Sequence, residues 1–247
     1  MKKKIIYELI LDNTKSITVA LIIAVIIRSL ILQPFYIPSS SMEPTLLIGD
    51  RIFVSKFTYG ISKHSFPFSP NIFNKRLFYK QAERGDLVVF KTPADNRTDY
   101  IKRLIGLPGD EIQFVEGKIL INGNKIIKKK VNNISQIRCG KFLLDVNFYE
   151  ETLPNGSKYI AAYSKNGSLQ NSQKFKVPNK HFFLLGDNRD CSRDSRYLDS
   201  VGYVSYVNLV GKAQIIFFSN DTIKGSLLKF WNLKNSFRLK RTFKKIK

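Results

Sequence analysis

The sequence predicts a mainly β protein preceded by one N-terminal membrane-spanning helix. Three observations carry this. Beyond residue 50 the chain breaks into short β-branched and aromatic runs bounded by turn residues. No long amphipathic helical period appears there. One long apolar run, ITVALIIAVIIRSLIL at 17–32, comes before all of them.

The apolar run, as a helix, spans about 24 Å, slightly short of the ~30 Å hydrocarbon core. Extending it to Tyr36 closes the gap, with Phe35 and Tyr36 at the interface and Pro38 ending the helix. Arg28 sits near its outer end, where a snorkelling arginine costs about 1–3 kcal/mol. Lys2, Lys3, Lys4 and Lys15 precede the run, whereas residues 33–50 hold no Lys or Arg. The positive-inside rule therefore places 1–15 in the cytoplasm, 16–36 across the membrane and the rest outside. That is a single-pass protein of the inner (cytoplasmic) membrane with an external domain. A cleaved secretory signal has the same basic and apolar regions. No A-x-A follows here, although Ser39-x-Ser41 is small-x-small, and the run exceeds a usual h-region, so a retained signal anchor is preferred.

Each strand has its own signature. RIFVSKF (51–57) and DLVVFK (86–91) are β-branched and aromatic. DYIKRLIGLPGDEIQF (99–114) reads as strand, Pro-Gly turn, strand. GKILINGNKI (117–126) is hairpin-like, with Asn122-Gly123 suited to a type I′ turn. NKHFFLLGD (179–187) and VGKAQIIFF (210–218) are further strands. Residues 127–178 are Lys/Asn/Ser-rich with weak strands, resembling a less constrained insertion. Residues 58–81 are aromatic and broken by Pro and Ser. Phe66, Phe68, Phe73, Phe78 and Tyr79 suit either a core or a lipid-facing surface.

The chain carries a formal charge of +22, which suits nucleic acid or an anionic membrane surface. With no helix-turn-helix or RNP-like motif, no nucleic-acid partner is expected. The basic segment 223–247 reads as a solvated or membrane-surface tail. Two cysteines and two distant histidines make no metal site, and no cofactor is implied. Outside the cytoplasm Cys139 and Cys191 could pair, but two cysteines alone fix no geometry.

Three segments carry chemistry. In YIPSSSMEPTLL (36–47), Ser41 follows the membrane exit, and its amide and the Ser39 hydroxyl could face one oxygen. Serine runs in loops are usually inert, so this segment alone decides nothing. In YIKRLIGLPGD, Lys102 lies between Ile101 and Leu104-Ile105; burial there would lower its pKa, whereas an edge-strand lysine would face water. GDNRDCSRDSR (186–196) can form an Asx-rich turn held by an Asp–Arg pair.

Together these segments resemble the type I signal peptidases, membrane-bound Ser/Lys proteases. PSSSMEPTLLIGD is similar to the family's nucleophile box, RGDLVVFKTP to the next strand, DYIKRLIGLPGD to the general-base box, and GDNRDCSRDSR with VGKA to the C-terminal box. The matching segments lie within 34–57, 84–114 and 179–213, a little over a third of the chain. The resemblance implies Ser41 as nucleophile, Lys102 as general base and Ser39 as an oxyanion-hole partner of the Ser41 amide. It implies Ser192 as the residue orienting the lysine, Asp194 and Arg196 as a structural ion pair, and Ile37 and Ile101 as pocket walls. It implies a largely antiparallel β protease core (37–114 and 179–222) with a smaller β domain inserted (115–178). The implied partners are signal peptides of exported preproteins and the lipid bilayer, and the implied route is an acyl-enzyme. Cys191 stands where the family commonly has Asn, some relatives have two membrane spans, and DSRYLDSVGYV carries extra residues. The rival readings are a catalytically inactive membrane-tethered scaffold and a basic nucleic-acid or membrane-surface binding protein.

The position of Ser41 suits that implied role. Signal peptides are apolar helices cut where they leave the membrane, and the short link from Tyr36 keeps Ser41 within roughly 20 Å of its face.

Overall fold

The computed structural model describes residues 2–71, 75–140, 142–221 and 237–246. One long helix, α1 (Lys2–Leu30), leads into an all-antiparallel β body. Among the described residues no helix is long and apolar enough to cross a membrane.

The helix stops short of the expected boundary. Leu32–Tyr36 is strand β1, not the outer part of a helix, and it pairs with β2 (Asp50–Ser55) from Leu32↔Ser55 to Tyr36↔Arg51. Pro34 is the physical reason: it disfavours helical backbone at Gln33 and supplies no helical N–H, well before Pro38. A continuous apolar run does not by itself separate helix from buried strand.

The remaining strands are β3 (Leu87–Lys91), β4 (Asp99–Gly106), β5 (Glu111–Val115), β6 (Lys118–Ile121), β7 (Asn124–Lys125), β8 (Ile127–Cys139), β9 (Phe142–Thr152), β10 (Lys158–Ser164), β11 (Phe175–Lys176), β12 (His181–Leu185), β13 (Val204–Ser205), β14 (Leu209–Ser219) and β15 (Lys244–Lys245). The largest sheet runs β1-β2-β14-β3-β4-β12-β13, with β15 added on β14. Strand β4 is therefore interior, between β3 and β12, which places Lys102 opposite Val88 and Arg103 opposite both Leu87 and Leu185. One core cluster beneath this sheet gathers Ile37, Met42, Leu46, Ile52, Val54 and Val89.

Two smaller sheets, β10-β9-β8 and β11-β5-β6-β7, hold the strands of the expected insertion together with β5. Strand β5 belongs to the second of these, so the Pro108-Gly109 turn carries the chain from one sheet to another. The Asn122-Gly123 turn has the expected positive φ at both residues, 53° and 79°. The strands of the insertion are long where the sequence suggests weak ones: β8 has 13 residues and β9 has 11. Their alternation is hidden by surface lysines and asparagines.

In the aromatic segment, Phe68 and Phe78 are exposed at 103% and 83%, whereas Tyr59 is core. Phe73 lies outside the described residues, as does most of the basic tail, Trp231 included. Residues 237–246, however, dock on the sheet, with Leu239, Lys240 and Phe243 to Lys245 exposed. Strand β15 pairs with Ile215 and Ile216 of β14, and Arg241 reaches the Asp50 carboxylate at 2.6 Å and the Thr45 carbonyl at 2.9 Å. The buried Asp50, which otherwise accepts only from the Ser219 hydroxyl and the Leu47 amide, is the physical draw for a cation.

Candidate active site

The loop between β1 and β2 holds Ser39, Ser40 and Ser41. It is pinned from below by Met42 and Leu46, both fully buried, and closed by the Leu46 N–H donating to the Met42 carbonyl at 2.9 Å. Loop 186–196 holds it from the side. The Asn188 amide donates to the Ser41 carbonyl at 3.1 Å, and its side-chain Nδ2 to the Ser40 carbonyl at 3.2 Å.

Lys102 comes to this loop from the middle of β4. Its Nζ donates to Ser41 Oγ at 2.8 Å and to the Ile101 carbonyl at 3.0 Å. Lys102 is 3% exposed and Ser41 8%, so the pair is nearly dry. Burial pulls the Lys102 ammonium down to about 8, against the opposing pull of the Asp194 and Asp187 carboxylates. Ser39 Oγ stands 3.4 Å from Ser41 Oγ on the exposed side. Neither histidine takes part: His64 bonds Ser69 and His181 the Asn179 carbonyl.

Ser192 is buried close by, and its hydroxyl has no hydrogen-bond partner among the described residues. It does not bond Lys102. A Cβ on Gly186 would collide with Ser192 and with the Ser41 carbonyl, so only glycine lets the two loops meet this closely. Asp194 and Arg196 form the expected ion pair, Nε to Oδ1 at 2.7 Å and Nη2 to Oδ2 at 2.9 Å. The same carboxylate accepts the Gly186 amide at 3.0 Å. A cavity of about 410 Å³ opens beside Ser41 and Lys102, and Ile37 and Ile101 line it with Tyr36, Tyr100 and Arg193.

Several residues here have no clear signal in the sequence. Arg103 makes a bidentate pair with Asp187, both contacts at 2.8 Å, and Thr45 donates to the same carboxylate at 2.5 Å. This triad ties the nucleophile loop, the lysine strand and loop 186–196 together. Arg189 in that loop is held by Glu151 of β9. Cys191 is disulfide-bonded to Cys139 at the end of β8, which resolves the open pairing question. Among the described residues no group of three metal-binding side chains exists.

The geometry has relatives. The family model described as signal peptidase, peptidase S26 matches residues 10–218. Signal peptidase I of Rickettsia typhi is 41% identical, the match covering 95% of this chain and 97% of that protein. Signal peptidase I of Rickettsia akari is 42% identical, over 84% of each. A crystal structure of a signal peptidase I from Enterococcus faecalis is 25% identical, with a TM-score of 0.33 over 54% of this chain and 97% of that one.

Proposed function

The chain belongs to the signal peptidase, peptidase S26 family of serine peptidases, and from that premise we propose that it removes signal peptides from exported preproteins with a Ser41/Lys102 dyad. The observation that carries the dyad is the buried 2.8 Å contact between Lys102 Nζ and Ser41 Oγ. A serine hydroxyl is a weak nucleophile until a base takes its proton. A lysine titrating near 8 is neutral often enough to do so.

In the proposed reaction the substrate backbone lies extended in the cavity beside Ile37 and Ile101. Ser41 Oγ attacks the scissile carbonyl as Lys102 takes its proton. The Ser41 amide and Ser39 hydroxyl hold the oxyanion. Lys102 then protonates the leaving amine, and water, activated by the same amine, hydrolyses the acyl-enzyme. Ser192 is assigned to orient Lys102: it makes no bond to the ammonium in this structure, and its buried hydroxyl, without another partner among the described residues, is available for one. Asp194 and Arg196 keep loop 186–196 in shape rather than touching substrate.

The proposed setting is the outer face of the cytoplasmic membrane, with the N-terminus inside and α1 as a single anchor. The exposed apolar side chains of α1 support this: Ile17 and Leu21 are 61% and 62% open with no protein covering them. The disulfide supports an oxidising compartment for the β body. Incubating a labelled preprotein with wild type and with Ser41→Ala tests the reading. Processing by the wild type alone is expected; equal processing by both would remove Ser41 from the chemistry.

A further inference from the structure

A second cavity, of about 520 Å³, shares Phe35 and Asp99 with the cleft beside Ser41 and is lined also by Arg28 of α1. Arg28, Lys56, Lys63, Lys91 and Arg97 line it against two carboxylates, Asp95 and Asp99. The carboxylates are occupied. Asp99 pairs with Lys91 at 2.9 Å, and Asp95 is taken up by Thr92, by Thr98 and by the Arg97 amide. Among the described residues the Arg28, Lys63 and Arg97 side chains have no ion-pair partner. Lys56 is 4% exposed and gives one hydrogen bond, to the Ser65 carbonyl at 2.6 Å. Burial and the nearby Arg28 and Lys91 charges hold its ammonium down at about 8, against the opposing pull of Asp99. The Nε2 of His64, another lining residue, is buried and unpartnered.

Phe35, Pro67 and Phe68 also line the cavity, and Phe68 is fully exposed in a positive-φ conformation, 61°, that a bulky residue rarely adopts. Unpaired cations beside an exposed aromatic side chain match an amphiphile with an anionic head. We propose that this cavity binds the phosphodiester headgroup of an anionic phospholipid, with the acyl chains running along Phe68 and the apolar face of α1. Guanidinium and ammonium groups converge on phosphate oxygens, and Arg97 and Lys63, which have no competing partner, carry the preference. The assignment goes beyond the peptidase reading and does not depend on the dyad.

The full-length protein in a neutral detergent micelle is titrated with short-chain phosphatidylglycerol, phosphatidylcholine or inorganic phosphate, with binding read by native mass spectrometry. Each basic group beside an anionic lipid strengthens association about fivefold. Phosphatidylglycerol is therefore expected to bind roughly 20-fold tighter than phosphatidylcholine or more, and tighter than free phosphate. The double variant Lys63→Gln/Arg97→Gln, which leaves Arg28 in place, is expected to keep a preference of only about fivefold. Both positions are at the surface, and circular dichroism checks that the variant is folded. Preprotein cleavage in lipid-free micelles should be the same in variant and wild type, which separates this assignment from the peptidase one. Equal binding of the two lipids by wild type overturns the proposal, as does an undiminished preference in the folded double variant. Free phosphate binding as tightly as phosphatidylglycerol overturns the lipid assignment in favour of a free-anion site.

Discussion

Arg189 and Glu151 form a buried fork, Nη1 to Oε1 at 3.0 Å and Nη2 to Oε2 at 2.8 Å, closed by the hydroxyls of Tyr159 and Tyr163. Arg189 belongs to the loop that carries Ser192; Glu151 belongs to the inserted sheet. The insertion is thus a splint for the active-site loop, since Arg189 also accepts at its carbonyl from Arg196 and donates from Nε to Gly186.

Removing the carboxylate charge should show this. Glu151→Gln leaves a fully buried guanidinium without its counter-ion, which costs about 3–5 kcal/mol. For a body of this size the melting midpoint should fall on the order of 10 °C. Thermal melts and preprotein cleavage below the new midpoint are the measurements. Unchanged stability would mean that Arg189 finds another anion.

The disulfide acts at the same place from the other end. Cys139 and Cys191 are 52 residues apart, and closing such a loop stabilises by about 4 kcal/mol on the chain-entropy model. Mass spectrometry of the unreduced protein should find no free thiol. Cys139→Ser should lower the melting midpoint and also slow cleavage, because Cys191 adjoins Ser192 and its sulfur lies 3.7 Å from Ser40 Oγ. Loss of stability with full activity would confine the bond to a folding role.

The docked end of the chain makes a third case. Arg241→Ala leaves Asp50 buried without its nearest cation and frees the Thr45 carbonyl. A loss of about 2–4 kcal/mol is expected, with a fall in kcat, because Thr45 and Asp50 frame the loop that holds Ser41. Urea unfolding and single-turnover cleavage read the two effects separately.

Ser41 and Lys102 were singled out by the family resemblance: by itself a serine run between prolines decides nothing, and a lysine among Ile and Leu suits an exposed edge strand as well as a buried one. The Arg103–Asp187–Thr45 triad was not legible, since its members are 84 and 142 residues from one another in sequence. Only the fold brings them together, and an Arg beside a Lys in a strand reads first as surface charge. Strand β1 was missed for the opposite reason. Its residues, LQPFY, look like the end of an apolar helix, and only pairing with β2 distinguishes them. The long β8 was blurred by its run of lysines, Lys128 to Lys130, and the docked tail by a charge density that suggests solvent.

The cavity beside Ser41 sets a steric expectation. Ile37 is 3% exposed and fixed by its amide bond to the Asp50 carbonyl at 2.9 Å, so this wall does not yield. Preproteins with Ala one and three residues before the cut should be processed. A Phe or Leu directly before the cut should lose at least about 1–3 kcal/mol in kcat/KM, tenfold or more. A substrate series varied at that one position measures it; efficient cleavage after Phe would remove Ile37 and Ile101 from the pocket.

The pH profile tests the base itself. Lys102 titrates near 8 in the folded protein, against 10.5 for a free lysine. In the proposed mechanism its neutral form accepts the Ser41 proton, so activity should be lost as pH falls below about 8, by roughly tenfold per unit, and be level above it. The stability sign is also fixed. Between about 8 and 10.5 the unfolded chain holds the lysine proton and the folded chain does not, so this group makes the protein more stable as pH rises through that window. Below 8 both states are protonated, and the full cost of burying the ammonium is present. Lys102→Arg should be inactive at every pH, since a guanidinium does not release its proton, while Lys91→Arg, on the neighbouring strand, should keep the wild-type limb. Initial rates from pH 6 to 10 on these three proteins decide the matter. A profile with its limb near 6, or an active Lys102→Arg, would mean that some other group takes the proton from Ser41.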